Sequence, residues 1–451
     1  MKIRARNIDL TQGAIVKTLL LFFLPIFLGS LFQQLYTMAD AVVIGQFAGK
    51  QGLAAIDSVY NLIKLPINFF MGLSTGATIL ISQYFGRRSE EELNRAVHTA
   101  VAFALAGGLL LSVAGVVFAP QFLRLLKVPE DIFATAFSYV RIYFGGLSVS
   151  MLYNVGAGIL RAVGDSKTPL FVLIISSVVN TATDLLFVGL FRWGAGGAAL
   201  STVLAQLVSA ALVIRALIKT PLGCRLIPSH IKIHAPILRS ILRVGLPIGL
   251  QASLYPIANI IIQSNINRMG TDSIAAWALC GKLDFFLWVA IDALAAAVST
   301  FAAQNYGATL IARVRKGLRA GLIMTLLVVF VLSAALYFWS EPLGKLFIKS
   351  EDYGILPLVG KLMRFLAPLY FLYVFGELLA VGIRATGESF MPMLITLFGT
   401  WACRILWVLF VVPQDRSLFT VVASYPVSWL ITSTLFAVYY AFFRRKKLRT
   451  G

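Results

Sequence analysis

Charge is scarce in this chain, and negative charge scarcest: of 451 residues 13% are charged, with 19 Asp and Glu against 39 Lys and Arg. A soluble domain carries about twice that charged share. Histidine and cysteine number three each. Cys224, Cys280 and Cys403 lie far apart and form no CxxC pair, so neither a disulfide framework nor a thiolate metal site is indicated. His230 and His234 have the i,i+4 spacing of two metal ligands, but no third ligand accompanies them. No Ser-His-Asp, Cys-His or Walker-type pattern occurs. Nucleophilic catalysis and ATP-driven pumping therefore lack their residues, and no cofactor is called for.

What fills the chain is apolar: 59% of residues are hydrophobic, more than one water-soluble core buries. Twelve apolar segments can be marked between residues 14 and 443, at roughly 20 apolar residues per crossing. The expected fold class is an all-α integral membrane protein with twelve transmembrane helices. Pro25, Pro66, Pro247, Pro256 and Pro368 fall inside these spans, where each removes a backbone hydrogen bond and permits a bend.

The net charge of +20 would suit a nucleic-acid binder, but its distribution argues for topology. The N-terminus, the even-to-odd span connections and the C-terminus carry most of the basic residues. The positive-inside rule makes that face cytoplasmic, with both termini inside. The tail Arg444-Arg445-Lys446-Lys447 suits anionic lipid head groups. The basic start, Met1 to Arg6, leads into an apolar stretch too long for a signal-peptide core and is read as a retained first helix.

The two halves repeat. Leu24-Pro25-Ile26 recurs as Leu246-Pro247-Ile248 at an offset of 222, and Gln83-Tyr84-Phe85-Gly86 as Gln304-Asn305-Tyr306-Gly307 at 221. Arg161-Ala162-Val163-Gly164-Asp165-Ser166 recurs as Arg384-Ala385-Thr386-Gly387-Glu388-Ser389 at 223. Six spans separate the copies, so they share one orientation, a parallel 6+6 repeat typical of transporters. The polar stretch 219–236 between them reads as a linker.

Ionisable residues inside spans are costly and mark function. Span 1 carries Tyr36 and Asp40, and span 5 carries Asn180 and Asp184, each pair i,i+4 on one helix face. Span 6 adds Thr202 and, one turn on, Gln206. Such groups offer hard oxygen ligands to a small cation, or equally a site for a shared proton. The structural alternative is a polar bridge that only holds the half together. Against it, the repeat positions of Asp40 and Asp184 are Ile262 and Trp407, so the feature is confined to one half.

Other intramembrane charges weigh less. Asp57 and Lys64 are expected to neutralise each other. Lys282 and Asp284 form a possible structural pair, while Asp284, Asp292 and Glu377 are weaker cavity candidates. Glu377 is expected to pair with Arg404 or Arg364, and the duplicated Arg161 and Arg384 are read as structural.

The R-A-x-G-[DE]-S turns, the Q-x-[FY]-G ends of spans 2 and 8 and the Leu-Pro entries to spans 1 and 7 resemble the MATE multidrug and toxic compound extrusion transporters over essentially the whole chain. The resemblance implies a V-shaped pair of pseudo-symmetric six-helix lobes, 1–218 and 237–451, joined by the cytoplasmic linker 219–236. It implies a prokaryotic inner-membrane antiporter, monomeric, exporting organic, mostly cationic amphiphiles in exchange for H⁺ or Na⁺ by alternating access. No nucleic acid is an expected partner; membrane lipids are. It places a coupling-ion site on Asp40, Asn180, Asp184 and Thr202, supported by Tyr36, Tyr139 and Gln206, with a bend at Pro25. NorM-type members carry a Glu where this chain has Tyr255, which points to the DinF-type branch. The alternative is a lipid-linked oligosaccharide flippase of the same superfamily, for which about fourteen spans and a basic cavity are expected. An integral-membrane enzyme is disfavoured by the absence of clustered catalytic groups.

Overall fold

The computed structural model describes residues 8–221 and 223–447. The basic start at 1–6 lies outside the described residues, as do the side chains of Tyr255 and of the tail 444–447. Among the described residues the chain is helical, without strands. Among the described residues eleven helices are long and apolar enough to cross a membrane, and a bent pair makes a twelfth if it is counted as one span.

In chain order they are α1 (Ile15–Phe47), α2 (Gly49–Arg87), α3 (Glu90–Val117), α4 (Glu130–Gly145 with Leu147–Ala162), α5 (Lys167–Leu190) and α6 (Gly194–Lys219). The second set is α7 (Ala235–Met269), α8 (Phe285–Gly307), α9 (Ile311–Gly344), α10 (Ser350–Arg384), α11 (Phe390–Phe410) and α12 (Leu418–Lys447). A further helix, Thr271–Leu283, leads into α8 and breaks from it at Asp284.

Local chemistry sets the ends. α3 opens on Glu90, Glu91 and Glu92, acids that complement the positive end of the helix dipole. α4 bends by 44° at Gly146, where a Cβ would lie 2.3 Å from the Val203 side chain of α6. The repeated turn is duplicated in conformation as well as sequence: Gly164 and Gly387 have φ of +88° and +89°, a backbone that only glycine adopts without strain. Ile8 packs onto the first of these turns, its N–H donating to the Gly164 carbonyl at 3.2 Å.

Contacts group the chain into two units. One takes Met1–Thr11 and Leu21–Gly249, the other Gln12–Leu20 and Leu250–Gly451. The grouping therefore changes within α1 and within α7 rather than in the linker. In the first unit α2 and α7 meet backbone to backbone: a Cβ on Gly72 would lie 2.3 Å from Gly249 Cα, and one on Gly76 2.4 Å from Gly245 Cα. Small residues at such crossings let helices associate where lipid supplies no hydrophobic drive.

The linker has an apolar side that its polar composition conceals. Cys224 and Leu226 are buried in one core with Ile159, Val213 and Ile241. His98 of α3 anchors it by accepting the Ile227 N–H at 3.0 Å, while its Nδ1 faces the Asn94 carbonyl at 2.8 Å. No group of three metal-ligating side chains occurs among the described residues.

Candidate functional site

The buried stripe of α5 runs through Val172, Ser176, Asn180 and Asp184, four residues apart, so all share the face packed on α6. That neighbour presents Ala198, Ser201, Ala205 and Ser209 as its buried side, and their small size permits close approach. α1 lies against α5 at both ends of the site. A Cβ on Gly29 would touch Leu173 at 3.2 Å, and Val43 and Ile44 form a buried cluster with Val188 and Ala198.

Between these contacts the carboxyl groups of Asp40 and Asp184 meet. Asn180 and Asp184 are each 1% exposed and Ser201 is 0% exposed. Asp40 Oδ1, both Asp184 carboxylate oxygens, both Asn180 amide atoms, Ser201 Oγ and Gln206 Oε1 are buried with no hydrogen-bond partner among the described residues. Two carboxylates carry acceptors only, so they cannot satisfy each other unless a proton or a cation is supplied. Orphaned buried oxygens cost free energy; their concentration here fits a small hard cation or a shared proton.

Tyr139 and Tyr143 flank the pair, with ring centroids 5.9 Å apart. Tyr139 lies within electrostatic reach of Asp40, Asp184 and Tyr36, and Tyr143 of Asp40 and Tyr36. Asp40, Asn180, Asp184, Tyr36 and Tyr139 thus lie in one neighbourhood. Thr202 is not aimed in the same way: it is half-buried and its hydroxyl donates to the Ala198 carbonyl at 3.1 Å. Ser201 is the α6 hydroxyl beside Asp184. Sequence reading missed Ser201 and Tyr143, although Tyr143 has the i,i+4 spacing from Tyr139 that could have found it.

An open groove of about 540 Å³ runs between α1 and α5, lined by Phe32, Leu35, Tyr36, Ala39 and Val178 among others. Tyr36 is common to this apolar groove and to the carboxylate cluster.

The second unit treats its charges differently, and several expected pairings are corrected. Asp284 Oδ2 accepts from Trp288 Nε1 at 3.0 Å and from the Tyr370 hydroxyl at 2.7 Å, not from the exposed Lys282. Glu377 accepts from Arg384 at 3.3 Å, and that arginine also donates to Gln251 at 3.2 Å. Arg364 pairs with Glu341. Arg404, 2% exposed, donates to Ser428 and Asn259 and lies 4.2 Å over the Tyr425 ring. Asp292 is exposed, within electrostatic reach of Glu377. Lys64 lies over the Tyr60 ring at 5.3 Å; no ion pair joins it to Asp57 among the described residues. Periodicity showed which faces these residues share, but not which partners neighbouring helices supply.

The MatE family model matches residues 25–186 and 247–409. This chain belongs to the MatE family. The matched segments begin at Pro25 and Pro247, offset by the same 222 residues as the repeat. Among relatives, "Probable multidrug resistance protein YoeA" of Bacillus subtilis (strain 168) is 28% identical over 446 residues, covering 97% of this chain and 96% of that protein. "Probable multidrug resistance protein YpnP" of the same organism is 31% identical over 299 residues, 66% of this chain and 67% of the relative. A solved structure described as the outward-facing conformation of a multidrug resistance MATE family transporter of the MOP superfamily has a TM-score of 0.91 at 20% identity, over 99% of each chain. This MatE chain therefore shares the fold of the solved MATE transporters.

Proposed function

We propose that the protein is a secondary active antiporter of the plasma membrane that exports cationic amphiphilic compounds in exchange for H⁺ or Na⁺, with Asp40 and Asp184 as its coupling carboxylates. The carrying observation is the cluster of buried oxygens on Asp40, Asn180, Asp184 and Ser201 that have no donor among the described residues. Two desolvated carboxylates without a counter-charge are costly. Their free energy falls when an ion or proton enters, which makes loading of the site a driving event. The α1–α5 groove beside Tyr36 offers an apolar seat next to that charge, a combination that suits an amphiphilic cation. The names of the multidrug-resistance relatives support drug export in general.

The exchange follows from linkage. If a loaded ion weakens drug binding by some factor, the drug weakens ion binding by the same factor. Pro25 removes the bond that the Leu21 carbonyl would receive in α1, and Asp40 lies further along that helix, so loading at Asp40 is coupled to the bend. Both termini and the linker are assigned to the cytoplasm from the distribution of basic residues. The test is uptake of a fluorescent organic cation by proteoliposomes under Na⁺ and H⁺ gradients imposed separately. Accumulation driven by one gradient, and lost when that gradient alone is collapsed, is expected. Equal flux with no gradient, or none under either, contradicts the reading.

A further inference from the structure

We propose that a groove between α9, α10 and α12 binds one anionic phospholipid, with its phosphate at Arg315 and Arg319 and an acyl chain along the leucines beyond them. The site is separate from the carboxylate pair and does not depend on the antiport reading. The groove holds about 170 Å³, and its lining includes Arg315, Arg319, Leu318, Leu322, Leu378 and Tyr440. It lies at the start of α9, the end of which the positive-inside rule assigns to the cytoplasm.

The internal repeat gives the reason to expect an occupant. At offsets of 221 and 223, Leu318, Leu322, Leu378 and Tyr440 correspond to Val97, Val101, Val155 and Leu217. The offsets hold in the structure. Arg88 and Thr309, 221 apart, have φ of +57° and +60°. Buried Ala198, Ser201, Ala205 and Ser209 of α6 correspond at 223 to buried Val421, Ser424, Ser428 and Thr432 of α12. In the first half all four apolar counterparts are buried in one core with Cys224 and Leu226 of the linker. Arg315 and Arg319 correspond to Asn94 and His98, which hold the linker backbone. Asn94 donates to the Arg225 carbonyl at 3.3 Å, and the Ile227 N–H lies 3.0 Å from His98.

The second half brings no such segment to its groove among the described residues, because α12 stays helical to Lys447. The residues Arg444 to Lys447 carry the same charge as the groove arginines and do not suit them as partners. An occupant has to be anionic at one end and apolar along its length. Arg315 and Arg319 are one turn apart on one face of α9, and no acidic side chain joins them in the lining. Beyond the groove, α9 exposes Ile323 and Leu327, and α12 exposes Leu435 and Val438, so it continues onto an apolar surface suited to acyl chains. A soluble anion matches only the arginines. An anionic phospholipid matches both parts, and basic pockets between helices on the cytoplasmic side take such head groups.

Native mass spectrometry of the purified full-length protein tests this, with phosphatidylglycerol and phosphatidylcholine of matched chains supplied together. The wild type should retain one phosphatidylglycerol in preference to phosphatidylcholine, and Arg319→Gln should weaken that retention by ~5-fold. Lys316→Gln removes the same charge from an exposed position of α9 outside the lining and should stay within about 2-fold of wild type. Leu322→Trp keeps both arginines but fills the groove, and should also lose the preference. Thermal melting in phosphatidylcholine micelles identifies a variant that fails to fold; the comparison of Arg319→Gln with Lys316→Gln, both at exposed positions, stands without Leu322→Trp. Equal losses in those two variants reduce the effect to diffuse attraction by net charge and overturn the proposal, as does a wild type without preference. Glycerol phosphate that binds as tightly as phosphatidylglycerol overturns it too, since the acyl chain then contributes nothing.

Discussion

Asp284 and Asp184 show two ways of keeping a carboxylate among apolar helices. Asp284 receives a tryptophan N–H and a tyrosine O–H, whereas Asp184 and its neighbour Asp40 receive none for their buried oxygens among the described residues. The first arrangement is that of a structural residue. Asp284→Ala should leave two buried donors unmet and lower stability by ~2 kcal/mol, read as a lower melting temperature, with the ion dependence of transport unchanged. Outside the membrane, Asp415 accepts from the Thr420 and Ser417 hydroxyls at the start of α12, which hold its carboxyl below the ordinary 3.8. A depressed folded value gives stability above the unfolded pKa that is lost as pH falls through the folded one. The melting difference between wild type and Asp415→Ala should therefore be constant at neutral pH and shrink below about 4. At this scale the acids, the Asn and the tyrosine of the site were legible because i,i+4 spacing fixes a shared helix face. Ser201 was not, because which of two adjacent hydroxyls points at α5 depends on how α6 is rotated, and helix rotation leaves little trace in so uniformly apolar a sequence.

Elements meet where side chains are absent. The α2–α7 crossing at Gly72, Gly76, Gly245 and Gly249 admits no Cβ without displacement of backbone. Gly76→Val should cost ~1–3 kcal/mol by overpacking, seen as a lower melting temperature in detergent. Gly145→Ala meets nothing within 4 Å and should melt close to wild type. Pro25 acts at the same scale: α1 runs continuously through it, with one intrahelical hydrogen bond removed. Pro25→Ala should restore that bond, leave expression and drug binding near wild type and impair transport; unimpaired transport by a folded variant would remove the bend from the mechanism. The spans themselves were legible from apolar length, and the repeated R-A-x-G turns from their glycines. The docking of the linker was not, because Cys224 and Leu226 are buried by neighbours distant in sequence rather than by any local period.

For the molecule as a whole, the repeat and the site run in opposite senses. The backbone is duplicated to the point of matching φ at Gly164 and Gly387, yet the carboxylate pair exists in one half only. Its repeat positions are a buried Ile262 and Trp407, whose indole donates to the Thr420 carbonyl at 2.8 Å. Architecture alone does not call for such asymmetry; a coupling site in one half does. The proposed orientation rests on the distribution of charge: cysteines introduced at Ser229 and Ser350 should react with an impermeant thiol reagent from opposite sides of the membrane, and labelling of both from outside would contradict that orientation. The most direct measurement of the coupling itself is drug transport by reconstituted Asp40→Asn and Asp184→Asn proteins under the gradient that drives the wild type. Each change keeps size and hydrogen bonding but removes the charge that an ion or proton neutralises. Gradient-driven transport should be abolished in Asp184→Asn, with residual drug binding that no longer responds to pH or Na⁺. If both variants transport at the wild-type rate with unchanged ion dependence, the carboxylate pair is architectural and the coupling residues lie elsewhere.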